Sequence, residues 1–160
     1  STVTGNFQEF SGEVTLNENG NLHSLEGVVE AKSINTNNEK RDNHLRSDDF
    51  FHVDQHPKLS SKATDLNMRP GQDKTVQAQL NMRGVTKTVP LEIEFKGTAK
   101  SPRGVLKAAL EAETEIDRTQ FGLDWNKVLE TGGFVVGKEV DIKLNIQADQ
   151  VEGSKKEAKL

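Results

Sequence analysis

The stretch "TVQAQLNMRGVTKTVPLEIEF", Thr75 to Phe95, alternates apolar and polar residues along most of its length. Val76, Ala78, Leu80 and Met82 share one face, and Val89, Leu91, Ile93 and Phe95 share one face of the run that returns. A period of two is the signature of a strand with one buried side, whereas a helix repeats at 3.6. The intervening "RGVTKT" reads as the turn of a hairpin.

The same period extends outward in both directions. "VLKAALEAETEI" places Leu106, Ala108, Leu110, Ala112, Thr114 and Ile116 opposite Lys107, Glu111, Glu113 and Glu115. "EVDIKLNIQA" places Val140, Ile142, Leu144, Ile146 and Ala148 opposite Asp141, Lys143, Asn145 and Gln147. "KGTAKSPRG" between the two hairpins reads as a loop and "RPGQD" as a turn. Toward the N-terminus Val14 and Leu16 alternate, and Asn19-Gly20 is a hairpin signal because both residue types accept positive φ. Leu25, Gly27, Val29, Ala31 and Ser33 then share a face, and Leu59, Ser61, Ala63 and Asp65 give a short strand. Only "NTNNEKRDNHLRSDD" reads as a helix, capped by Asn35 or Thr36. Its apolar content is Leu45 alone, so tertiary contacts must hold it. Seven or eight strands with one polar face make a sandwich or an up-and-down barrel, and periodicity does not choose between them.

Composition agrees with one all-β domain over residues 1–150, followed by a polar tail over residues 151–160. Hydrophobic residues are 32% of the 160, which suits strands with one wet face. The net charge of −4 lacks the basic footprint of a nucleic-acid binder. Cysteine is absent, which removes disulfides and thiolate chemistry. No run is long enough for a transmembrane helix, and no signal peptide is visible. Ser1 opens within a strand-like pattern, which reads as a processed or trimmed chain.

The most chemical-looking segment is "RDNHLRSDDFFHVDQHP", Arg41 to Pro57. On a continuous helix His44, Asp48 and His52 would line one face at metal-ligand spacing, but Pro57 and the strand-like "FFHV" interrupt it. Asp42, Asp48, Asp49 and Asp54 with Arg41 and Arg46 would suit paired-carboxylate hydrolysis, and also suit a helix capped and stapled by surface charges. No nucleophile elbow or phosphate loop is present. Gly132, Gly133 and Gly137 of "LETGGFVVG" read as a loop and bulge ahead of a strand rather than a dinucleotide fingerprint. The expectation is therefore no catalytic residue, no metal and no cofactor. Phe7, Phe10, Phe50, Phe51, Phe121, Phe134 and Trp125 lie near strand ends or in connections, where they plug a barrel end or line the mouth of an apolar cavity.

Five segments in order, "GNFQEFSGEV", "VEAKSINTNNEKRDNHLRSDDFFHVDQHP", "LNMRGVTKTVPLEIEF", "EIDRTQFGLDWN" and "TGGFVVGKEVDIKLNIQA", together resemble the YceI-like family of bacteria and span nearly the whole chain. The resemblance implies a lipocalin-like antiparallel β-barrel of about eight strands with one short helix. It implies non-enzymatic binding, storage or transport of a long amphiphile (an isoprenoid quinone, a polyprenyl phosphate or a fatty amide) in a periplasmic protein that forms homodimers. The family begins with an additional "ID--HS-V-F" strand that this sequence lacks, so an open barrel edge is expected. Joined to the alternation, the resemblance gives as ligand-lining residues Val29, Ala31, Leu45, Phe50, Phe51, Leu80, Met82, Leu91, Ile93, Leu110, Phe121, Trp125 and Ile142. Arg41, Arg46 and Arg118 are the candidates to meet a head group. The competing readings are a hydrolytic or metal-dependent enzyme using residues 41–56, and an interaction module with a solid core.

Overall fold

The computed structural model describes residues 4–127, 136–151 and 157–159. Strand β1 (Asn6–Phe7) precedes β2 (Phe10–Leu16) and β3 (Leu22–Glu30). A 3₁₀ turn (Ala31–Ser33), β4 (Ile34–Asn35) and helix α1 (Glu39–Arg46) follow. Then come β5 (Lys58–Ala63), β6 (Asp73–Met82), β7 (Val85–Lys100), β8 (Leu106–Asp117), a second 3₁₀ turn (Arg118–Phe121), β9 (Glu139–Gln150) and β10 (Glu157–Lys159). The order β10-β2-β3-β5-β6-β7-β8-β9 closes an antiparallel barrel, and β1 pairs with β4 in a separate two-stranded sheet. Seven strands form nearly the whole wall, and the three-residue β10 bridges β2 and β9. The open edge expected from the sequence is spanned only there, by a segment of the polar tail.

Several boundaries differ from the sequence reading, each for a local reason. Within "RGVTKT" only Arg83 and Gly84 turn, with φ of 51° and 72°. Val85–Thr88 pair with Gln79–Met82 instead. Two successive positive φ values match the twist of the flanking strands. "KGTAK" is not loop but the end of β7, carried past a bulge between Phe95 and Gly97. Gly97 has φ of 103°, and a Cβ there would lie 3.1 Å from Pro70 Cβ. The run through Ser33 and Ile34 breaks at Glu30, so Ala31 leaves the strand yet stays fully buried. Helix α1 is capped by Asn38, whose side chain accepts from Arg41 N at 2.9 Å, rather than by Asn35 or Thr36.

The inner face carries two buried clusters. The first joins Val14, Leu22, Leu25, Leu66, Met68, Leu91, Ile93, Phe95, Leu110 and Ile146. It is closed from below by the loop after β5, where Leu66 and Met68 are inserted and Met68 bridges to Leu22. The second joins Ala31, Phe50, Leu59, Leu80, Met82, Ile116, Phe121 and Leu123 beneath α1. Between them the inward positions are small. Gly12 pairs with Gly27 and Gly27 with Ser61 across three strands, while Thr114 turns its hydroxyl onto Pro90 O at 2.7 Å.

Candidate functional site

The two barrel ends differ in accessibility. Leu22, Leu66 and Met68 at the plugged end are at most 1% exposed. At the helix end Phe7, Val29, Leu45, Phe51, Val53, Trp125 and Ile142 pack against the second cluster but remain half-buried. Phe50 and Phe121 beneath them are buried. Of the thirteen lining residues read from the sequence, ten meet in this cluster. The other three, Leu91, Ile93 and Leu110, belong to the dry cluster at the far end.

Strand parity identifies a second accessible surface. Phe10, Val140 and Leu144 are 61%, 38% and 39% exposed, yet each sits on the inward-facing set of its strand. Leu144 pairs with Ala112, Val140 with Ile116, and Phe10 with Val29. All three lie where their strands lack a second partner among the described residues, so their inward side is left open to solvent. Val140 and Leu144 were not among the residues singled out as lining, although the alternation of β9 already placed both on one apolar face.

The aromatic end is joined by one histidine. His44, in the last turn of α1, meets Trp125 at 4.5 Å and Phe50 at 5.1 Å between ring centroids, both edge to face. Its Nε2 lies 2.8 Å from Asp49 Oδ2. A carboxylate only accepts, so this nitrogen carries a proton and donates. His52 and His56 meet edge to face at 5.8 Å between ring centroids. Among the described residues no group of three metal-ligating side chains forms.

The charged residues of segment 41–56 are placed by backbone geometry. Asp42 is buried, against the sequence reading of a surface staple, and its Oδ1 accepts from Thr36 N at 2.9 Å and Thr36 Oγ1 at 2.5 Å. The Thr36 hydrogen bond holds the Asp42 carboxyl below its ordinary value, more strongly than burial raises it, with Arg46 and Arg41 adding in the same direction. Arg41 Nε donates to Thr36 Oγ1 at 2.8 Å and its Nη2 to Thr36 O at 2.9 Å. Arg46 donates to Lys32 O at 2.8 Å, Ile34 O at 3.1 Å and Asn43 Oδ1 at 3.0 Å. Asp42 and Arg46 also border a cavity of about 460 Å³ with Gln8, Glu9 and Lys32.

Arg118 is 4% exposed and clasps the loop that follows it. Its Nε donates to Gly137 O at 2.7 Å, Nη1 to Leu123 O and to Trp125 O at 3.1 Å, and Nη2 to Val136 O at 3.2 Å. Burial lowers its pKa, with Asp117 and Asp124 acting against that. The guanidinium also lies 5.7 Å from the Phe50 ring centroid. Gly132, Gly133 and Phe134 lie outside the described residues.

This architecture has known counterparts. The description "YceI-like domain" matches residues 1–148. The chain belongs to the YceI-like family. Among its curated YceI-like relatives, a Staphylococcus aureus protein described as a UPF0312 protein is 31% identical over 150 residues, 92% of this chain and 84% of the relative. The fold matches that of a Campylobacter jejuni YceI protein with a TM-score of 0.80 at 24% identity, over 95% of this chain and 87% of the other. A polyisoprenoid binding domain from Saccharophagus degradans shares the fold more distantly, with a TM-score of 0.51 at 15% identity over 77% of this chain and 83% of that domain. No helix among the described residues is long and apolar enough to cross a membrane.

Proposed function

We propose that this YceI-like barrel is a non-enzymatic binder of a long-chain amphiphile, whose chain lies inside the barrel and whose head sits at the helix end. The observation that carries the reading is the set of apolar residues on inward-facing strand positions that stay accessible, Phe10, Val140 and Leu144, together with the half-buried Val29 and Ile142 that pack against the aromatic end. Burying a hydrocarbon chain there is favourable by about 0.8 kcal/mol per methylene before binding costs. Few polar contacts are then needed, which fits a chain with no nucleophile or cofactor motif. The polyisoprenoid binding domain of similar fold supports the ligand class.

Within this proposal the protein holds or carries its lipid outside the cytoplasm, as the family resemblance implies, and works without a cofactor. The test is native mass spectrometry of protein purified from cells, followed by organic extraction. The expected result is an adduct of several hundred daltons that extracts into solvent and rebinds. Protein that carries no lipid, and that takes up neither a quinone nor a polyprenol in titration, rejects the reading.

A further inference from the structure

Along the seam between β8 and β9 the outward pairs change character from one end to the other. Lys107 faces Asp149 and Glu113 faces Lys143, with ion pairs of 2.7 Å and 3.9 Å. Beyond them Glu115 faces Asp141 and Asp117 faces Glu139. None of these last four carboxylates joins an ion pair among the described residues. Like charges directly opposite each other push paired strands apart. The seam is therefore drawn together at one end and repelled at the other.

The groups around Glu115 do not relieve it. Glu113 and Asp117 flank it on its own strand, and β7 adds Glu92 opposite Glu113. The Glu139 charge, then Asp141, raises the Glu115 pKa. The nearby cations, Lys138 and Arg118, act on Asp117, whose Oδ1 also accepts from Thr119 N at 2.9 Å.

The repelled stretch lies between two anchors. Before it, Arg118 N donates to Lys138 O at 2.9 Å, and the Arg118 guanidinium donates to Gly137 O at 2.7 Å and Val136 O at 3.2 Å. After it, Lys143 and Asp149 are held by Glu113 and Lys107. Among the described residues β8 alone pairs with residues 139–148. Val140 faces Ile116 and Ile142 faces Thr114, and both isoleucines belong to the aromatic end. A stretch held at both ends, paired along one edge and repelled across that edge, opens locally rather than fraying from a terminus.

We infer that residues 139–142 form a charge-operated flap in the barrel wall at the aromatic end, which opens at neutral pH and low ionic strength and closes when its facing carboxylates are screened or protonated. The flap stands on the seam itself. Its use as the entry for a lipid chain rests on the chain-binding reading above. A carboxyl whose pKa is raised in the docked state favours docking as the pH falls through its titration, so acid and salt act in the same direction.

Hydrogen exchange at pH 7 tests it, with the β8-bonded amides of residues 139–142 compared with those of residues 144–149 in about 10 mM and about 500 mM sodium chloride. Protection of the first set is expected to rise roughly fivefold with salt. The second set, whose ion pairs salt weakens, is expected to stay level or fall. Glu115→Gln combined with Glu139→Gln leaves neither facing pair doubly charged, and is expected to show the raised protection already in low salt. Uptake of geranylgeraniol, an uncharged probe, is followed by fluorescence of the single tryptophan. In low salt it is expected to be several-fold slower in that variant than in the parent. An equal salt response in the two sets, or one that survives in the variant, overturns the flap. Equal uptake rates overturn its use as the entry. Absence of uptake in both proteins rejects the chain-binding reading, while the exchange data still decide the flap. The parent's salt series decides even where the variant does not fold.

Discussion

At the scale of single residues, the chain spends its buried charges on holding loops rather than on chemistry. Arg118 satisfies carbonyls of Leu123, Trp125, Val136 and Gly137 that would otherwise be stranded at the aromatic end. An unsatisfied buried carbonyl costs about 1–3 kcal/mol. Arg118→Met is therefore expected to destabilise the protein by on the order of 3 kcal/mol in urea unfolding. Arg118→Lys should recover little, because one ammonium cannot span carbonyls on both segments. Full recovery by lysine would show that charge, not the planar fork, does the holding. Asp42 makes a pH prediction. Its folded pKa lies below the ordinary 3.8. A depressed carboxyl contributes stability that is complete above the unfolded pKa and is lost as pH falls through the folded one. Asp42→Asn should thus be less stable than the parent at pH 7, with the gap closing below pH 3.8. A gap that persists unchanged into acid would mean that geometry alone, and not the carboxylate charge, is what Thr36 requires.

At the scale of elements, the strands were legible and their ends were not. Alternation located β6 through β9 because each has one wet and one dry face, and the register sets Ala112 opposite Leu144 and Leu110 opposite Ile146. It missed the length of β7, since Thr98 and Ala99 carry no strong pattern and a bulge at Gly97 shifts the phase. It missed the two-residue turn at Arg83-Gly84 because an arginine with positive φ has no sequence signature. Gly84 is its counterpart, and a Cβ there would lie 2.9 Å from His56 Cε1. Helix α1 was found by its charges, but the cap shifted to Asn38 because Thr36 is drawn into the Asp42 network. On the outer face, β8 and β9 set Glu115 opposite Asp141 and Asp117 opposite Glu139. The Glu139 charge, with Asp141, raises the Glu115 pKa. A raised carboxyl pKa means that the folded state is penalised when the group is charged, so stability rises as the pH is lowered through the Glu115 titration. Glu115→Gln should raise Tm slightly at pH 7 and low salt, and the gain should vanish at ~0.5 M salt, where such repulsion is screened.

At the scale of the whole molecule, the two ends of one barrel do different work. The end plugged by Leu66 and Met68 is dry, although the sequence reading had counted Leu91, Ile93 and Leu110 of that end among the ligand-lining residues. The site was legible only in part. The second cluster gathers residues from α1, from β1, β3 and β5 to β9, and from the 3₁₀ turns and their loops, and no local pattern records that convergence. His44 and Leu144 make the point. One stood out only for its metal-ligand spacing, and the other only as a member of an alternating apolar face. This division of labour gives a prediction in which stability and binding separate. Leu110 is 1% exposed in the plugged half, so Leu110→Ala should cost about 2–5 kcal/mol in urea unfolding. Ligand affinity measured on the folded fraction should change little. Leu144 faces the barrel axis but is 39% exposed, so Leu144→Ala should cost less than about 1 kcal/mol. It should lower affinity for the bound chain several-fold, because the ligand buries what the empty barrel leaves open. Ligand present at 100 times its Kd stabilises the parent by about 2.7 kcal/mol. At one fixed ligand concentration Leu144→Ala should therefore show a smaller rise in Tm than the parent, while the two unliganded proteins melt nearly together. If Leu144→Ala instead unfolds as readily as Leu110→Ala, and keeps the parent's ligand-induced rise, then β9 packs a solid core and the accessible inner surface is not where the chain lies.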